Sequence, residues 1–274
     1  MDTIHENKKG GNHMTASFTK AIIFDLDGTT IKNSKNAKPS QKVVDAIIAA
    51  QAVVHTIFAT GRNWKLVKDL AKQLNIRVPV VTLGGSQVID PLTGKILWEQ
   101  DLDPGIAEKV IEIAKTFPGT KIYDNDTNKS GSLKTYKIKP AMSSVCLFVD
   151  DKLVNEFVKQ VKKIPLLLVE TTPGWEKGMS EVAVKHIHAT KFMALQTVAK
   201  KLGLNPKECV GVGDSGNDIT LLNFCGTKIA MGNATDRLKE LAHHIAPTVE
   251  EDGLAWVINT FILNTPPPPP VAKK

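Results

Sequence analysis

Two aspartates separated by one residue, Asp25 and Asp27, directly follow an apolar segment in AIIFDLDGTT. Because side chains alternate along a strand, both carboxylates project to the same side, and Gly28 lets the chain turn away at once. Like charges this close resist joint ionisation unless a cation compensates them. Mg²⁺ prefers such hard oxygen ligands and keeps coordination positions for phosphate oxygens. The segment therefore indicates a magnesium and phosphate site, the alternative being a strand that ends in an acidic turn.

Two further segments carry cationic or hydroxyl groups that suit an anion. HTIFATGRNW places Thr60, Gly61 and Arg62 after an apolar strand, which supplies a hydroxyl, an open backbone position and a guanidinium. Lys191 begins the helical pattern KFMALQTVAKKLGL and offers an ammonium group. Taken singly, Thr60 also fits a helix cap and Lys191 a solvated residue of a first helical turn.

A second acidic pair follows a third apolar strand in ECVGVGDSGNDITLL. Its Gly-rich loop contains Asp214, Asn217 and Asp218, and Asp218 alone also fits an acid placed at a helix N-terminus. Together the four segments favour one shared site over four separate structural explanations, because each one follows a predicted strand or starts a helix.

The elements needed to bring these segments together form an α/β pattern. Strand, helix, strand, helix and strand alternate from 18 to 84, which predicts parallel strands joined by crossover helices. In such sheets ligands lie outside the carboxyl ends of the strands. From Gly85 the pattern changes to a hairpin and then a mixture of helices and short strands, and the first pattern resumes near 189.

We therefore expect an α/β fold: a Rossmann-like parallel-sheet core with an inserted α+β cap domain. The predicted divisions are a disordered tail over 1–17, the core over 18–84 and 189–264, the cap over 85–188, and a proline-rich tail over 265–274. Met14 is an alternative start, and the prolines of the last segment predict an extended spacer.

Composition excludes several classes of protein. With 274 residues and 42% hydrophobic content, the chain can bury a substantial core. Its three cysteines lack a CxxC pair and suit buried thiols in a reducing compartment. No apolar run approaches the roughly 20 residues of a membrane span, and the N-terminus has no apolar segment typical of a secretory signal. These features predict a cytoplasmic protein that does not contact a membrane.

The net charge of +7 is concentrated before residue 85, where the sequence contains 12 basic and 6 acidic residues. One alternative is thus a non-catalytic protein that binds nucleic acid. Because no interleaving of aromatic and basic residues accompanies the charge, we predict no nucleic-acid partner and interpret the excess as a solvated surface.

The order of acid pair, hydroxyl, lysine and acid pair resembles the haloacid dehalogenase superfamily of phosphohydrolases. The position and length of the insertion are similar to those of its Cof-type branch. The resemblance covers roughly residues 20–263. It implies a magnesium-dependent phosphatase that hydrolyses a small phosphorylated metabolite, a sugar phosphate or similar phosphomonoester, acting as a monomer or homodimer. A phosphomannomutase-like phosphotransferase is the alternative enzyme.

The resemblance also implies a role for each site residue. Asp25 would be the nucleophile that forms an aspartyl-phosphate, and Asp27 the general acid and base. Thr60 would hold the phosphoryl group and Lys191 would neutralise its charge. Asp25, the main-chain carbonyl of Asp27 and Asp214 would bind Mg²⁺. Asp218 would either bind the ion directly or support the groups that do.

Gly61, Arg62 and Asn217 are the predicted substrate-binding residues. Two departures from the pattern concern the surroundings of this site. Gly84 and Gly85 stand where many relatives have Asn-Gly, and Phe192 stands where a glycine often follows the lysine.

Overall fold

The computed structural model describes residues 19–34, 37–125, 129–174 and 176–264. Numbered along the chain, the strands are β1 (Ala21–Phe24), β2 (His55–Phe58), β3 (Val80–Thr82), β4 (Gln87–Ile89), β5 (Ile96–Glu99), β6 (Lys121–Asp124), β7 (Lys129–Ser132), β8 (Val145–Asp150), β9 (Leu167–Pro173), β10 (Met179–His186), β11 (Cys209–Gly213), β12 (Thr227–Ala230) and β13 (His244–Ile245). The helices are α1 (Gln41–Ala50), α2 (Trp64–Gln73), α3 (Pro104–Lys115), α4 (Val154–Val161), α5 (Lys191–Leu202), α6 (Ile219–Phe224), α7 (Asp236–Leu241) and α8 (Gly253–Phe261).

A parallel sheet forms the core, in the order β13-β12-β11-β1-β2. All four side chains of β1 are buried, because the helices that connect parallel strands cover the sheet. The register pairs Phe24 with both Val212 and Phe58, so β1, β2 and β11 end at the same level. The segments that follow these three strands are therefore brought together at one edge.

Local signals in the sequence set where the core helices begin. Ser40 accepts the Val43 N–H at 3.2 Å and so caps α1, and Asn63 caps α2 through the Leu66 N–H. Thr190 caps α5 in the same way. Lys191 is consequently the first residue of its helix.

A three-stranded antiparallel sheet, β3-β4-β5, joins the core to the inserted region. The predicted hairpin is present, but Val88 and Ile89 are buried in the hydrophobic cluster of the core. A second hydrophobic cluster begins only at Leu102. The inserted module therefore packs as a separate unit from about that residue, later than the predicted cap start at 85, because β4 pairs with β3.

The inserted module consists of an antiparallel sheet, β7-β6-β8-β10-β9, covered by α3 and α4. Its own core includes Phe117 and Phe157, whose rings meet edge to face with centroids 5.2 Å apart. The edge strand β7 pairs with β6 over Lys129–Ser132, and the chain turns directly afterwards. The predicted fold class, a parallel-sheet core with an inserted α+β module, is confirmed.

The predicted tails over 1–17 and 265–274 lie outside the described residues, and so does Met14. The three cysteines are free and buried, as the sequence indicated. Among the described helices, none combines the length and apolar character needed to cross a bilayer.

Candidate active site

The carboxyl ends of β1, β2 and β11 bring the predicted acidic and hydroxyl residues to one edge of the core sheet. Asp25 follows β1 and its N–H bonds the Val212 carbonyl at 3.1 Å. Thr60 follows β2, and Asp214 follows β11. Residues nearly 190 positions apart thus meet because parallel strands share one edge.

A buried lysine lies between two carboxylates at this edge. The Lys191 Nζ donates to Asp25 Oδ1 and to Asp218 Oδ1, each at 2.6 Å. Burial alone would lower the pKa of the ammonium, yet the charges of Asp218 and Asp25 outweigh it and raise that pKa above its usual range. Lys191 therefore stays protonated and holds the two acids in place.

Asp25 and Asp214 are held away from water beside other acids. Burial, followed by the charge of Asp218, raises the pKa of Asp25 well above its usual range, and Lys191 opposes this shift. The same two causes raise the pKa of Asp214 to about 7, against the hydrogen bond from Thr29. One lysine does not compensate all these carboxylates, so the site favours a further cation.

Asp25, Asp214 and Asp218 offer oxygen atoms that lie within 4.8 Å of one another and could hold a metal ion. Both oxygens of Asp218 already have partners: Oδ1 meets Lys191, and Oδ2 accepts the N–H groups of Asp214 and Ser215 at 3.0 Å. Asp25 and Asp214 are therefore better placed to bind the ion, and Asp218 to orient the loop. This donor set consists of hard oxygens and fits Mg²⁺.

Asp27 lies beside the cluster, and its carboxylate contacts an arginine. Arg62 Nε donates to Asp27 Oδ2 at 2.8 Å and Nη2 donates to Oδ1 at 2.5 Å, which is the bidentate geometry of a strong ion pair. Arg62 also donates to the Ser34 carbonyl. The residue predicted to bind substrate thus contacts the predicted general acid instead.

Thr60, Gly61 and Asn217 complete the predicted set. Thr60 is fully buried and its hydroxyl accepts the Arg62 N–H at 3.1 Å, so it shapes the turn rather than capping α2. Around Gly61 there is open space where a side chain would stand. Asn217 accepts a hydrogen bond from the Ser215 hydroxyl at 2.8 Å. Gly61 and Asn217 both line a cavity of 190 Å³ in front of Asp25 and Asp27.

The opposite wall of this cavity comes from the inserted module, and sequence reasoning did not identify its residues. Glu181, Ala183 and Lys185 alternate along β10 and line the cavity, while Val182 and Val184 are buried in the module's own core. The signal was present in MSEVAVKH, since a period of two with charges on one face indicates a strand with one polar face. What that face meets depends on tertiary structure.

Lys185 joins the inserted module to the core. Its side chain is buried, pairs with Glu170 Oε2 at 2.6 Å, and donates to the Gly84 carbonyl at 2.9 Å. Gly84 has φ of 62°, and a Cβ there would lie 2.4 Å from the Lys185 Nζ. The glycine that replaces the asparagine of many relatives therefore makes room for this lysine.

Glu181 is a second acid on the same wall. Burial first, and then the charge of Asp27, raises the pKa of its carboxyl. Asp27, from the core, and Glu181, from the inserted module, both line this cavity.

Small polar side chains that sequence reasoning also missed orient the aspartates. The Thr29 hydroxyl donates to Asp214 Oδ1 at 3.0 Å, and the Thr30 hydroxyl donates to the Asp25 carbonyl at 2.6 Å.

The second departure from the family pattern, Phe192, packs edge to face on Phe224 with centroids 5.8 Å apart. It fills the space between α5 and α6 and leaves the Lys191 contacts intact.

A family model described as haloacid dehalogenase-like hydrolase matches residues 22–127 and 120–258. A 5-amino-6-(5-phospho-D-ribitylamino)uracil phosphatase of Bacillus subtilis is 26% identical over 260 residues, covering 89% of this chain and 96% of the relative. A second Bacillus subtilis protein of the same description is 22% identical over 265 residues, covering 88% and 96%.

Two solved structures share the fold. A haloacid dehalogenase-like hydrolase from Bacteroides thetaiotaomicron has a TM-score of 0.73 at 20% identity, covering 88% of this chain and 98% of that one. A sugar phosphatase of subclass IIB of the superfamily has a TM-score of 0.71 at 20% identity, covering 89% and 99%. The predicted resemblance, including the Cof-type insertion, is confirmed. The chain belongs to the haloacid dehalogenase-like hydrolase family, and within it to the phosphoric monoester hydrolases.

Proposed function

We propose that the protein is a magnesium-dependent phosphatase that hydrolyses a small phosphomonoester through an aspartyl-phosphate on Asp25. The observation that carries this proposal is the buried Lys191 ammonium between Asp25 and Asp218 at 2.6 Å, beside the three-aspartate cluster. This arrangement presents a carboxylate oriented by a fixed cation at the end of an accessible cavity. It suits attack on a phosphoryl group, whose negative charge needs compensation.

Asp25 and Asp214, with the Asp27 main-chain carbonyl, would hold Mg²⁺. The ion would supply positive charge to the phosphoryl oxygens when bound. Asp218 keeps Lys191 and the loop after β11 in position. Lys191 compensates the negative charge of the Asp25 carboxylate as the phosphoryl group approaches.

Asp27 would protonate the leaving oxygen in the first step and take a proton from the attacking water in the second. Arg62 contacts both of its carboxylate oxygens in this structure. Substrate binding would therefore have to break at least one of these two hydrogen bonds, so that an Asp27 oxygen becomes available. The guanidinium, which lines the cavity, would then be able to contact the phosphate, in line with its predicted role in binding substrate.

The leaving group is the part of the substrate that the inserted module meets. We propose that this module acts as a cap over the active site and selects the substrate. Glu170, Glu181 and Lys185 line the cavity from its side, and such groups suit the hydroxyls of a sugar phosphate. The relatives named above act on a phosphorylated ribityl compound and on sugar phosphates, which supports this class. The buried free thiols suit a cytoplasmic location.

Release of inorganic phosphate from a panel of sugar phosphates, nucleotides and phosphorylated cofactors tests the proposal. We expect turnover by the wild type with Mg²⁺, loss of turnover on exhaustive chelation, and recovery on adding the ion back. Asp25→Asn should abolish turnover while its circular dichroism spectrum matches the wild type. Full activity of Asp25→Asn, or of the chelated protein, contradicts the proposal. An isomeric phosphate as the product would identify a mutase instead.

A further inference from the structure

A second cavity, of 320 Å³, adjoins the one in front of the aspartates. Leu83, Tyr123 and Asn125 line both cavities, so the two lie side by side in the same cleft. Ligand pockets for small molecules usually measure about 300–1,000 Å³. The catalytic cavity alone, at 190 Å³, is below that range, and the adjoining space is what brings the cleft within it.

Three aromatic side chains line the second cavity from both sides of the cleft. Trp64 comes from the start of α2 in the core, whereas Tyr123 on β6 and Tyr136 after β7 come from the inserted module. Tyr123 is held edge to face against Phe148, with the ring planes at 86°. Trp64 lies against the turn between β4 and β5, since a Cβ at Gly94 would lie 3.2 Å from its indole nitrogen. Tyr123 and Trp64 are thus each packed against a neighbouring part of the protein.

The polar groups of this cavity already compensate one another. Lys139 pairs with Asp124 at 2.7 Å, and the Ser143 hydroxyl donates to Glu99 Oε1 at 2.6 Å. The remaining wall includes the apolar side chains of Leu83, Ile89 and Met142. A balanced set of charges beside apolar and aromatic surface does not suit a second phosphate. It suits a flat group with an apolar face and polar edges.

From these walls we propose that the second cavity binds a planar heteroaromatic ring of the substrate, separated from the phosphate by the part that occupies the catalytic cavity. This inference rests on the proposed phosphatase function for its orientation, with the phosphate at Asp25. Tyr136 and Trp64 provide the ring's contacts from the module and from the core. A substrate with such a ring therefore bridges the two parts of the protein, which a ring-free sugar phosphate does not.

Calorimetric titration of the full-length Asp25→Asn protein, with Mg²⁺ present, tests the ring subsite without turnover. The ligands are ribose 5-phosphate, uridine 5′-monophosphate and adenosine 5′-monophosphate, which share a phosphorylated pentose and differ in the ring. We expect at least one nucleotide to bind at least tenfold more tightly than ribose 5-phosphate. In Asp25→Asn/Tyr136→Ala that ratio should fall at least fivefold, and in the matched Asp25→Asn/Tyr136→Phe it should persist.

Equal or weaker binding of both nucleotides overturns the subsite, and so does a ratio that Tyr136→Ala leaves unchanged. Neither result affects the proposed function, which is judged by phosphate release from the wild type. Conversely, a wild type that releases no phosphate from any ester refutes the phosphatase proposal, while the binding ratio still decides whether the ring is recognised.

Discussion

Lys191 illustrates how much of this site depends on a single side chain. It is almost fully buried, with only 1% of its side chain exposed, and each of its two contacts is a carboxylate oxygen at 2.6 Å. In a buried ion pair each charge compensates the other. Removing one partner therefore leaves the opposite charge buried and uncompensated. The same lysine therefore serves the stability of the fold and the proposed chemistry.

Lys191→Met should destabilise the protein by about 3–5 kcal/mol, because Asp25 and Asp218 would remain buried without their cation. Phosphate release should fall by about 100-fold or more, as is typical when a group that stabilises developing charge is removed. Lys200→Met, on the exposed side of the same helix, is the matched control and should change stability by less than about 0.5 kcal/mol. Urea unfolding and a phosphate assay measure both effects, and similar values for the two variants would contradict this account.

Glu181 predicts a dependence of stability on pH. The pKa of its carboxyl is higher in the folded protein than in the unfolded chain. Below the unfolded pKa of about 4.3, the carboxyl is protonated in both states, so folding buries no charge at this position. As pH rises through the folded pKa, the buried carboxyl must ionise and stability is lost. Glu181→Gln should therefore be more stable than the wild type at pH 7 to 8, and this gain should shrink as pH falls towards 4.

Denaturant titrations of the ligand-free protein across that pH range measure the difference. Glu108→Gln, at an exposed position of α3, serves as the control and should show no such gain. A gain for Glu181→Gln that is constant with pH would assign the effect to packing instead of charge.

At the scale of elements, the turn between β3 and β4 decides how the inserted module meets the core. Gly84 and Gly85 have φ of 62° and 102°, a region that glycine enters without strain. Gly85 also approaches the start of α5, because a Cβ there would lie 2.0 Å from the Thr190 carbonyl carbon. The turn therefore packs directly against the start of the helix that carries Lys191.

Gly85→Ala should be far more destabilising than Gly203→Ala. Both glycines have positive φ, but a Cβ at Gly203 would meet open space. Gly203→Ala should therefore lose only about 1–2 kcal/mol of stability, the cost of placing a side chain in the left-handed backbone conformation. Gly85→Ala should lose a further ~1–3 kcal/mol or more from the clash with backbone, and its phosphate release should drop as Lys191 shifts. Thermal unfolding of the two variants provides the comparison, and equal losses would show that the approach to Thr190 does not matter.

On the scale of the whole molecule, two hydrophobic clusters stabilise two parts of one chain. The first surrounds the parallel sheet and includes β4, and the second lies between the antiparallel sheet and its helices. The cleft between them contains both cavities. Lys185 of the inserted module contacts the Gly84 carbonyl of the core only because the two parts are apposed.

Phe157→Ala should loosen the inserted module without loosening the core. The ring is fully buried in the second cluster, and its loss should remove about 3–5 kcal/mol. Hydrogen exchange under native conditions should accelerate in β8 and β10 and stay unchanged in β1 and β11. Ile47→Ala, buried in the first cluster, should give the opposite pattern. Equal acceleration in both sheets after Phe157→Ala would indicate a single cooperative unit.

The edge where Asp25, Thr60 and Asp214 meet was predictable from the sequence, because each follows an apolar strand and parallel strands end at a common edge. Lys191 was predictable as a helix start for a similarly local reason, the Thr190 cap. Strand and helix periods, caps and turns are properties of neighbouring residues, so the sequence alone carries them.

Contacts between segments that are distant in the sequence were decided by tertiary structure. Arg62 pairs with Asp27, Lys185 reaches Gly84, and the rings of Trp64 and Tyr136 border one cavity. The residues of the inserted module that line the cavity were not identified from the sequence, since alternation shows that a face is polar but not what it faces. The packing of β4 with the core was missed for the same reason. Where two separately packed units come to lie depends on the shapes of both surfaces and on the segments that connect them, which no local pattern along the chain encodes.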